Sequence, residues 1–540
     1  MCVSIQILQK WLYSLLHLFS ASFEILQENV AHTAFHNSAA RFDPPKCHPH
    51  TRVAVLKKIM DWVHRTDWET WYRYILWLTG AAGAGKSAIA QSIIELCLLE
   101  GFVIASFFFF RSDSTRNHAK SLVATLAYQI FFSVPSTQAI IQAAIENDPL
   151  IFTRSLEHQF DLLVIQPLRK FYEPLDTLEE KWRRLIVIDG LDECLDRGSQ
   201  RQILNMFRSA IRKYELPLIF LVASRPEHDI NTTFRSNHMN GVFAKIYLDE
   251  SYEPDEDIRR FLKDSFEEIS TNHPYKSRIP MIWPTPAATE SIVRKSSGQF
   301  VYAATVVRYV QSNRHQPHHQ LEKILNLRPL QGDMPFAQLD ELYTMILSCV
   351  AEIEQVLYAI SVYSLNVEAN GKVDLSCYMS LDKEEIEILF CDLGALVSVQ
   401  WDEEHEATSL KILHASLHDF LLDPMRSKHF CISLDAYRTK HMIAILRYIT
   451  PRLRESDDPD FIDELDIDEM AEHLVSTEDF FIRNYPRCEI SADLVHQAFN
   501  FPLAQIFNHQ DEIFLYFLFF DFFPFVGRMV IFISSAFHSK

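Results

Sequence analysis

Two short stretches of this chain carry side chains whose types and spacing suit phosphate chemistry. The first, Gly80-Ala81-Ala82-Gly83-Ala84-Gly85-Lys86-Ser87, fits G-x-x-x-x-G-K-[ST]. To cradle a phosphate, successive backbone N–H groups must turn inward, which glycine permits by tolerating positive φ and close approach. Gly80, Gly83, Ala84 and Gly85 are the cradle positions. A helix opening at Lys86 adds the partial positive charge of its N-terminus. Lys86 itself supplies a full charge to the β- and γ-phosphates, and Ser87 offers a hydroxyl to Mg2+. The chain holds only 12 glycines in 540 residues, so this pattern is no by-product of a glycine-rich composition. A helix entered through a flexible turn would explain the glycines but not the apolar run before them.

The second stretch is Leu185-Ile186-Val187-Ile188-Asp189-Gly190-Leu191-Asp192-Glu193. Four apolar residues followed by an acid read as a buried strand with an aspartate at the carboxyl edge of a parallel sheet, where ligands bind. A phosphate cradle that holds Mg2+ needs such an acid on a neighbouring strand. Asp189 is therefore assigned to the metal, through water, and Asp192 and Glu193 to orienting or deprotonating an attacking water. Taken alone, the same residues would read as a solvated strand–helix junction. Leu218 to Val222 forms a further strand candidate, ending in Ala223-Ser224-Arg225-Pro226. Arg225 lies where it could sense a γ-phosphate and stabilise charge in transfer, the plainer alternative being a surface arginine capping a loop.

These residues need a scaffold, and the apolar pattern supplies one. Strand-type runs at Tyr74 to Leu78, Phe102 to Phe110, Leu185 to Ile188, Leu218 to Val222 and Val242 to Leu248 alternate with helical segments, including one over Val53 to His64 and one running from the cradle to about Leu99. The predicted fold is an α/β P-loop domain, a parallel sheet flanked by helices. Beyond residue 250 the pattern becomes amphipathic and helical, with short Val/Leu runs near 394–399 and 409–413 suited to the wing of a small α+β unit. The expected organisation is an N-terminal helix and connector over 1–45, a nucleotide-binding domain over 46–248, a helical domain over 250–330, a winged-helix-like domain over 335–430, a helical region over 431–500 and a hydrophobic tail over 501–540. Residues 30–52, polar and rich in turn formers, read as an extended connector. Phe107 to Phe110 read as a buried central strand. The segment 455–472, with ten acidic and no basic residues, reads as a solvated face.

Composition limits the partners. Hydrophobic residues make up 48% and charged residues 23%, the proportions of a globular chain. The net charge of −20 argues against general affinity for DNA, RNA or anionic lipid, although a local basic pocket for one small phosphate ligand is compatible with it. Nine scattered cysteines form neither a disulfide framework nor a CxxC zinc pair, which suits a reduced, cytoplasmic setting. The histidine-rich stretches His315, His318, His319 and Cys47, His48, His50 lack a second half at metal-ligand spacing and read as loop polarity. No nucleophile-elbow context surrounds any candidate triad. The apolar stretch Trp11 to Phe19 reads as an amphipathic helix rather than a cleaved signal. Ile513 to Phe537 is long enough to span a bilayer, but Asp521, Pro524, Gly527 and Arg528 interrupt it. It is open to three readings, a buried helix, a membrane anchor or a non-native tail, and the last is preferred.

Together the cradle and the DGLDE stretch resemble the NACHT branch of the STAND P-loop NTPases, the nucleotide switches of NOD-like receptors. The acidic pair after Asp189 is the more particular feature. Lys46-Cys47-His48-Pro49-His50-Thr51-Arg52 and Leu417-His418-Asp419-Phe420-Leu421 are similar to phrases that flank the core in fungal NACHT proteins, and the resemblance spans roughly residues 38–430. It implies that Thr51 and Arg52 line the adenine and ribose side, that Arg225 is sensor 1, and that His414 is the winged-helix histidine that reaches the ADP β-phosphate. Such a histidine would couple occupancy to domain position. Ser297-Gly298-Gln299-Phe300 departs from the family's Gly-x-Pro turn, and no sensor repeat or death-fold effector is legible.

The leading expectation is a signalling switch that binds ATP or ADP with Mg2+, GTP remaining open, hydrolyses slowly and forms homo-oligomers in the triphosphate state. The alternatives are a non-catalytic nucleotide-binding scaffold, a truncated NOD-like receptor, and a kinase passing phosphate to a small acceptor, against which the acidic pair speaks.

Overall fold

In the computed structural model, the described residues are 21–41, 45–111, 113–172, 183–214, 216–249, 252–327, 336–366, 375–379, 381–402, 407–455 and 491–500. The apolar stretch at Trp11, the acidic run beyond residue 455 and the phenylalanine-rich tail lie outside them. The chain divides into two compact units, one of Met1–Asp264 with Ser296–Ala303, the other of Ser265–Lys295 with Ala304–Lys540.

All five apolar runs of the first unit form strands: β1 (Ile75–Gly80), β2 (Val103–Phe108), β3 (Arg184–Asp189), β4 (Leu218–Ser224) and β5 (Phe243–Leu248). They pair in parallel in the order β2-β3-β4-β1-β5. Side chains alternate between two apolar layers, as a strand's period of two requires. Ile75, Trp77, Ile186, Ile188, Phe220 and Val222 enter one layer. Leu76, Leu78, Leu185, Val187, Ile219 and Leu221 enter the other. Helices cover both faces, so neither sheet surface is polar. The helices that matter here are α1 (Ala21–Glu28), α2 (Val53–Val63), α3 (Lys86–Leu99), α4 (Leu122–Ser133), α5 (Arg197–Tyr214) and α6 (His228–Arg235). Through Ile59, Trp62, Ile89 and Ile93, α2 and α3 fill the second layer. Leu26, Leu126, Phe207 and Phe234 bring α1, α4, α5 and α6 to the first. This is an α/β P-loop-like fold.

Two expectations need correction. The Phe107 to Phe109 segment is buried, but β2 is an edge strand, shielded because α4 packs along it. The stretch after residue 30 is no extended connector. His32–Ala34 and Ala39–Arg41 form 3-10 turns, Ala31, Ala34 and Arg41 are buried, and the Ala31 N–H donates to Thr125 Oγ1 at 3.0 Å. Arg41 reaches into the core, donating to Gln91 Oε1 at 3.0 Å and stacking 3.5 Å from the Phe108 ring centroid. Burial lowers its pKa to about 10, opposed by the charge of Asp189. Truncation would remove a charged hydrogen bond and a cation–π stack together, so Arg41→Ala is expected to lower unfolding free energy by about 2–3 kcal/mol. A urea titration checks this; a midpoint equal to wild type would show the segment to be a passive strap.

The second unit is helical around one small antiparallel pair. Here α7 (Pro317–Leu325) precedes the apolar helices Ala337–Ser348 and Ile353–Asn366. A capping box fixes the start of α8 (Lys383–Phe390), Asp382 accepting from the Glu385 N–H while Glu385 accepts from the Asp382 N–H. Strands β6 (Val397–Asp402) and β7 (Ala407–Ile412) then pair with Val397 opposite Ile412, and α9 (Ala415–Leu422) follows. Among the described residues no single helix is long and apolar enough to cross a membrane; Ala337–Ser348 and Ile353–Leu365 meet that length only as a pair bent by 120°.

Candidate nucleotide-binding site

The glycines of the cradle take the conformations their position demands. Gly83 has φ +76° and Gly85, at the N-cap of α3, has φ +90°. Both lie in the left-handed region that glycine adopts without strain. A Cβ on Gly80 would stand 3.0 Å from Leu248 Cβ, and one on Gly83 would meet Val301 Cγ1 at 2.3 Å. The loop is thus packed tightly on its outer side as well as curved on its inner one. Ala84 is buried, and its N–H donates to Ala81 O at 3.3 Å. No side chain caps the first turn of α3, so its leading N–H groups face the loop without a capping acceptor. Lys86 turns back over the loop, donating from Nζ to Gly80 O at 3.0 Å and Ala81 O at 2.9 Å. Burial lowers its pKa, opposed first by the charge of Asp192 and more weakly by Asp189 and Glu193.

The acids arrive from β3, which is not the neighbour of β1. Strand β4 lies between them and contributes Arg225 from its own carboxyl end. Asp189 is 4% exposed, and the Ser87 hydroxyl lies near enough to its carboxyl to favour the charged form. Its Oδ1 is buried with no hydrogen-bond partner among the described residues. Burial raises the Asp189 carboxyl to about 6, against the opposing influences of Ser87, Arg41 and Lys86. An orphaned carboxylate oxygen beside a serine hydroxyl is a donor set that suits a hard divalent cation such as Mg2+. Ser87 and Asp189 would hold that ion.

Asp192 is engaged on both oxygens by one residue. Its Oδ1 accepts the Arg225 backbone N–H at 2.9 Å, and its Oδ2 pairs with Arg225 Nε at 3.2 Å. Glu193 accepts the Arg111 N–H at 3.1 Å, while the Arg111 guanidinium donates to Asp192 O at 3.3 Å. Gly190, at φ +69°, makes the turn between β3 and these acids, and a Cβ there would stand 3.0 Å from Phe109 O.

Residues 57–225 match the family model described as Nephrocystin 3, N-terminal, which spans the cradle, the acids and Arg225. The domain is P-loop NTPase-like. No curated protein matches the sequence. Among solved structures, one titled "Structure of Drosophila ORC bound to DNA" aligns at 13% identity and TM-score 0.31, covering 67% of this chain and 92% of that one. A likeness that loose carries no weight for function.

Around the P-loop domain's cradle, further groups take defined places. Thr51 is buried and donates from Oγ1 to His48 O at 2.7 Å. Arg52, buried and at φ 55°, donates to Ala84 O at 2.9 Å, and its own N–H bonds Asp257 Oδ2 at 2.9 Å. The Arg52 guanidinium also stacks 4.8 Å from the Phe300 ring centroid. It braces the cradle directly, while Nε and Nη1 are buried with no hydrogen-bond partner among the described residues. The segment Ser296–Ala303 belongs to the same unit, and Val301 and Gln299 close on Gly83. His414 is in the second unit at the N-cap of α9. Its Nδ1 accepts the Ser416 N–H at 3.1 Å, so in the neutral ring Nε2 carries the proton.

Sequence reasoning missed Arg41, Arg111, Asp257 and Val301. No local pattern marks them, since each acts across a long sequence separation.

Glu193 yields a pH prediction. Burial, then the neighbouring Asp192 charge, raises its carboxyl from 4.5 to about 7. The folded state therefore keeps a proton that the unfolded chain releases, so this group's stabilisation is present below about pH 4.5 and lost as pH rises through 7. Because Glu193 is only partly shielded from water, the loss is expected to be about 1–2 kcal/mol. Glu193→Gln should flatten that slope in denaturant titrations across the range. Parallel slopes for wild type and variant would show Glu193 to ionise normally.

Proposed function

We propose that this chain is a nucleotide-operated signalling switch of the NACHT class, binding ATP or ADP with Mg2+ at the P-loop. The observation that carries this reading is the meeting of Ser87 with an Asp189 whose second oxygen is buried and unpartnered. That arrangement is costly to build and gains from a cation. The match to the Nephrocystin 3 N-terminal model over the same residues supports it.

The residues then have distinct tasks. The cradle N–H groups and Lys86 bind the β- and γ-phosphates, Lys86 exchanging its two carbonyl acceptors for phosphate oxygens. Mg2+ held by Ser87 and Asp189 would supply charge that offsets the negative charge of the β- and γ-phosphates. Arg225 has two alternative anions, Asp192 in the present arrangement and a γ-phosphate when a triphosphate is bound. Leaving Asp192 for the phosphate frees the acid beside Glu193, so that triphosphate and diphosphate favour different arrangements of one ion pair. Differential affinity of this kind shifts a two-state equilibrium. Glu193, held by the Arg111 N–H, is the candidate for orienting the attacking water. Hydrolysis is expected to be slow because Arg225 must first exchange partners.

In this reading the antiparallel β6–β7 pair with its flanking helices serves as the winged-helix unit, His414 donates from Nε2 toward the diphosphate, and the triphosphate state forms homo-oligomers in the cytoplasm. His414→Ala is expected to weaken ADP binding about tenfold, as loss of one charged-acceptor hydrogen bond would. Calorimetry measures it, and unchanged ADP affinity would remove His414 from the switch.

The decisive test is the nucleotide that co-purifies with the full chain, identified by mass, followed by sedimentation with ADP or a slowly hydrolysed triphosphate plus Mg2+. Bound adenine nucleotide and larger species with the triphosphate are expected. A guanine nucleotide would change the base assignment; no nucleotide and no triphosphate binding would end the proposal. The pairing of Asp192 with Arg225 also favours a second reading, a scaffold that binds nucleotide without turnover. Undetectable turnover in wild type, with Glu193→Gln assembling identically, would select the scaffold.

A further inference from the structure

Outside the nucleotide site, the second unit contains a concave basic pocket of about 460 Å3. Three cations, Arg278, Arg314 and Lys323, line it with the imidazoles of His315 and His319, and no carboxylate does. In a chain of net charge −20 such a concentration of cations runs against the average field. Its volume lies within the roughly 300–1,000 Å3 range of small-molecule sites.

The pocket is assembled from three pieces whose positions are fixed independently of any ligand. Gln316, His319, Gln320 and Lys323 follow the i, i+3, i+4, i+7 spacing and so form one stripe along α7 and its N-cap. Arg278 comes from the 3-10 turn Lys276–Arg278, and Arg314 and His315 from the turn before α7. Buried His273 ties these turns together. Its Nδ1 accepts the Tyr275 N–H at 3.1 Å, which leaves the proton on Nε2 to donate to Ser312 O at 3.2 Å. A histidine with both nitrogens used this way is a structural stitch between the turn that carries Tyr275 and the one that carries Arg314.

The N-terminus of α7 adds to the field. Its N-cap Gln316 makes no side-chain cap hydrogen bond, and Pro317 occupies the first turn. Helix N–H groups without a capping acceptor carry partial positive charge toward the pocket lip. Asp392 lies 3.6 Å from Arg314 Nε and 3.4 Å from His315 Nε2. It compensates one side only. Arg278 and Lys323 have no acidic partner among the described residues.

We propose that this pocket binds a small, multiply phosphorylated anion. Several cations on three walls, with Tyr275 and the glutamines as neutral donors, suit phosphates spread around a compact ligand. A carboxylate would engage only one wall. The chemistry is shared by a free polyphosphorylated metabolite and by a phosphorylated lipid headgroup. The site is independent of the P-loop reading, since none of its residues belongs to the nucleotide site.

The test uses the full chain in two arms at physiological salt. One titrates myo-inositol hexakisphosphate by calorimetry; the other sediments phosphatidylcholine vesicles containing phosphatidylinositol 4,5-bisphosphate. Each is run on wild type, on the double variant Arg278→Ala/Lys323→Ala and on Lys86→Ala. Both cations are exposed, so the double variant is expected to fold, which circular dichroism verifies. Binding in either arm that falls about tenfold or more in the double variant and is unchanged in Lys86→Ala supports the pocket, and the arm that responds identifies the source. Binding lost in Lys86→Ala instead, or undiminished in the double variant, or absent in both arms, overturns it.

Discussion

Replacing Lys86 by alanine is expected to weaken Mg-ATP binding by roughly two to three orders of magnitude while leaving thermal stability almost unchanged. The two halves have different origins. In the folded chain Lys86 Nζ bonds two carbonyls of its own loop, Gly80 O and Ala81 O, at 3.0 and 2.9 Å. Removing it forfeits those bonds, each worth about 1 kcal/mol net, but also removes a buried ammonium whose desolvation already lowers its pKa. The terms oppose, and the melting temperature should move by about 2 °C or less. Arg225 can turn to the γ-phosphate only by giving up Asp192, and Arg52 is committed to Ala84 O, so neither replaces the Lys86 charge without a loss of its own. Displacement of a fluorescent ATP analogue, beside a circular dichroism melt, reads both halves. Affinity within about threefold of wild type would mean that the phosphates bind elsewhere, and a large fall in melting temperature would recast Lys86 as structural.

Much of this site was legible because its chemistry is local. The glycine spacing, the Lys-Ser pair and the strand-terminal Asp189 each need only a few consecutive residues, and the five apolar runs became five strands. Sheet order is a different kind of information. Nothing in Leu185–Ile188 or Leu218–Val222 says which run lies beside β1, and β4 in fact separates β1 from β3. That placement puts Arg225 between cradle and acid and allows its ion pair with Asp192. The polar stretch after residue 30 misled for a related reason. Its composition suits a loop, yet a few buried residues, Ala31, Ala34 and Arg41, anchor it through contacts some 50 to 95 residues away. Periodicity measures an element's own face and is silent about partners at that distance.

The second large effect is expected at Asp189, where stability and function should move in opposite directions. At neutral pH Asp189 is ionised although burial raises its carboxyl to about 6, against an ordinary 3.8. That difference corresponds to about 3 kcal/mol of destabilisation, present above pH 6 and relieved as pH falls toward 4. Asp189→Asn keeps the shape of the side chain beside Ser87 but carries no charge. It introduces an amide N–H group that burial leaves without a ready acceptor, which returns about 1–2 kcal/mol of the gain. The nucleotide-free variant should therefore be about 1–2 kcal/mol more stable than wild type at pH 7.5, a margin that shrinks as pH falls below about 6. With the charge gone, Mg2+ loses its protein carboxylate, so the stabilisation added by Mg-ATP should drop and turnover fall by about a hundredfold or more. Denaturant titrations with and without Mg-ATP, together with phosphate release, measure the three effects in one set of samples. A variant less stable than wild type in the absence of nucleotide would mean that Asp189 is held in place by interactions that repay its burial. An unaltered response to Mg-ATP would mean that the orphaned oxygen serves no metal.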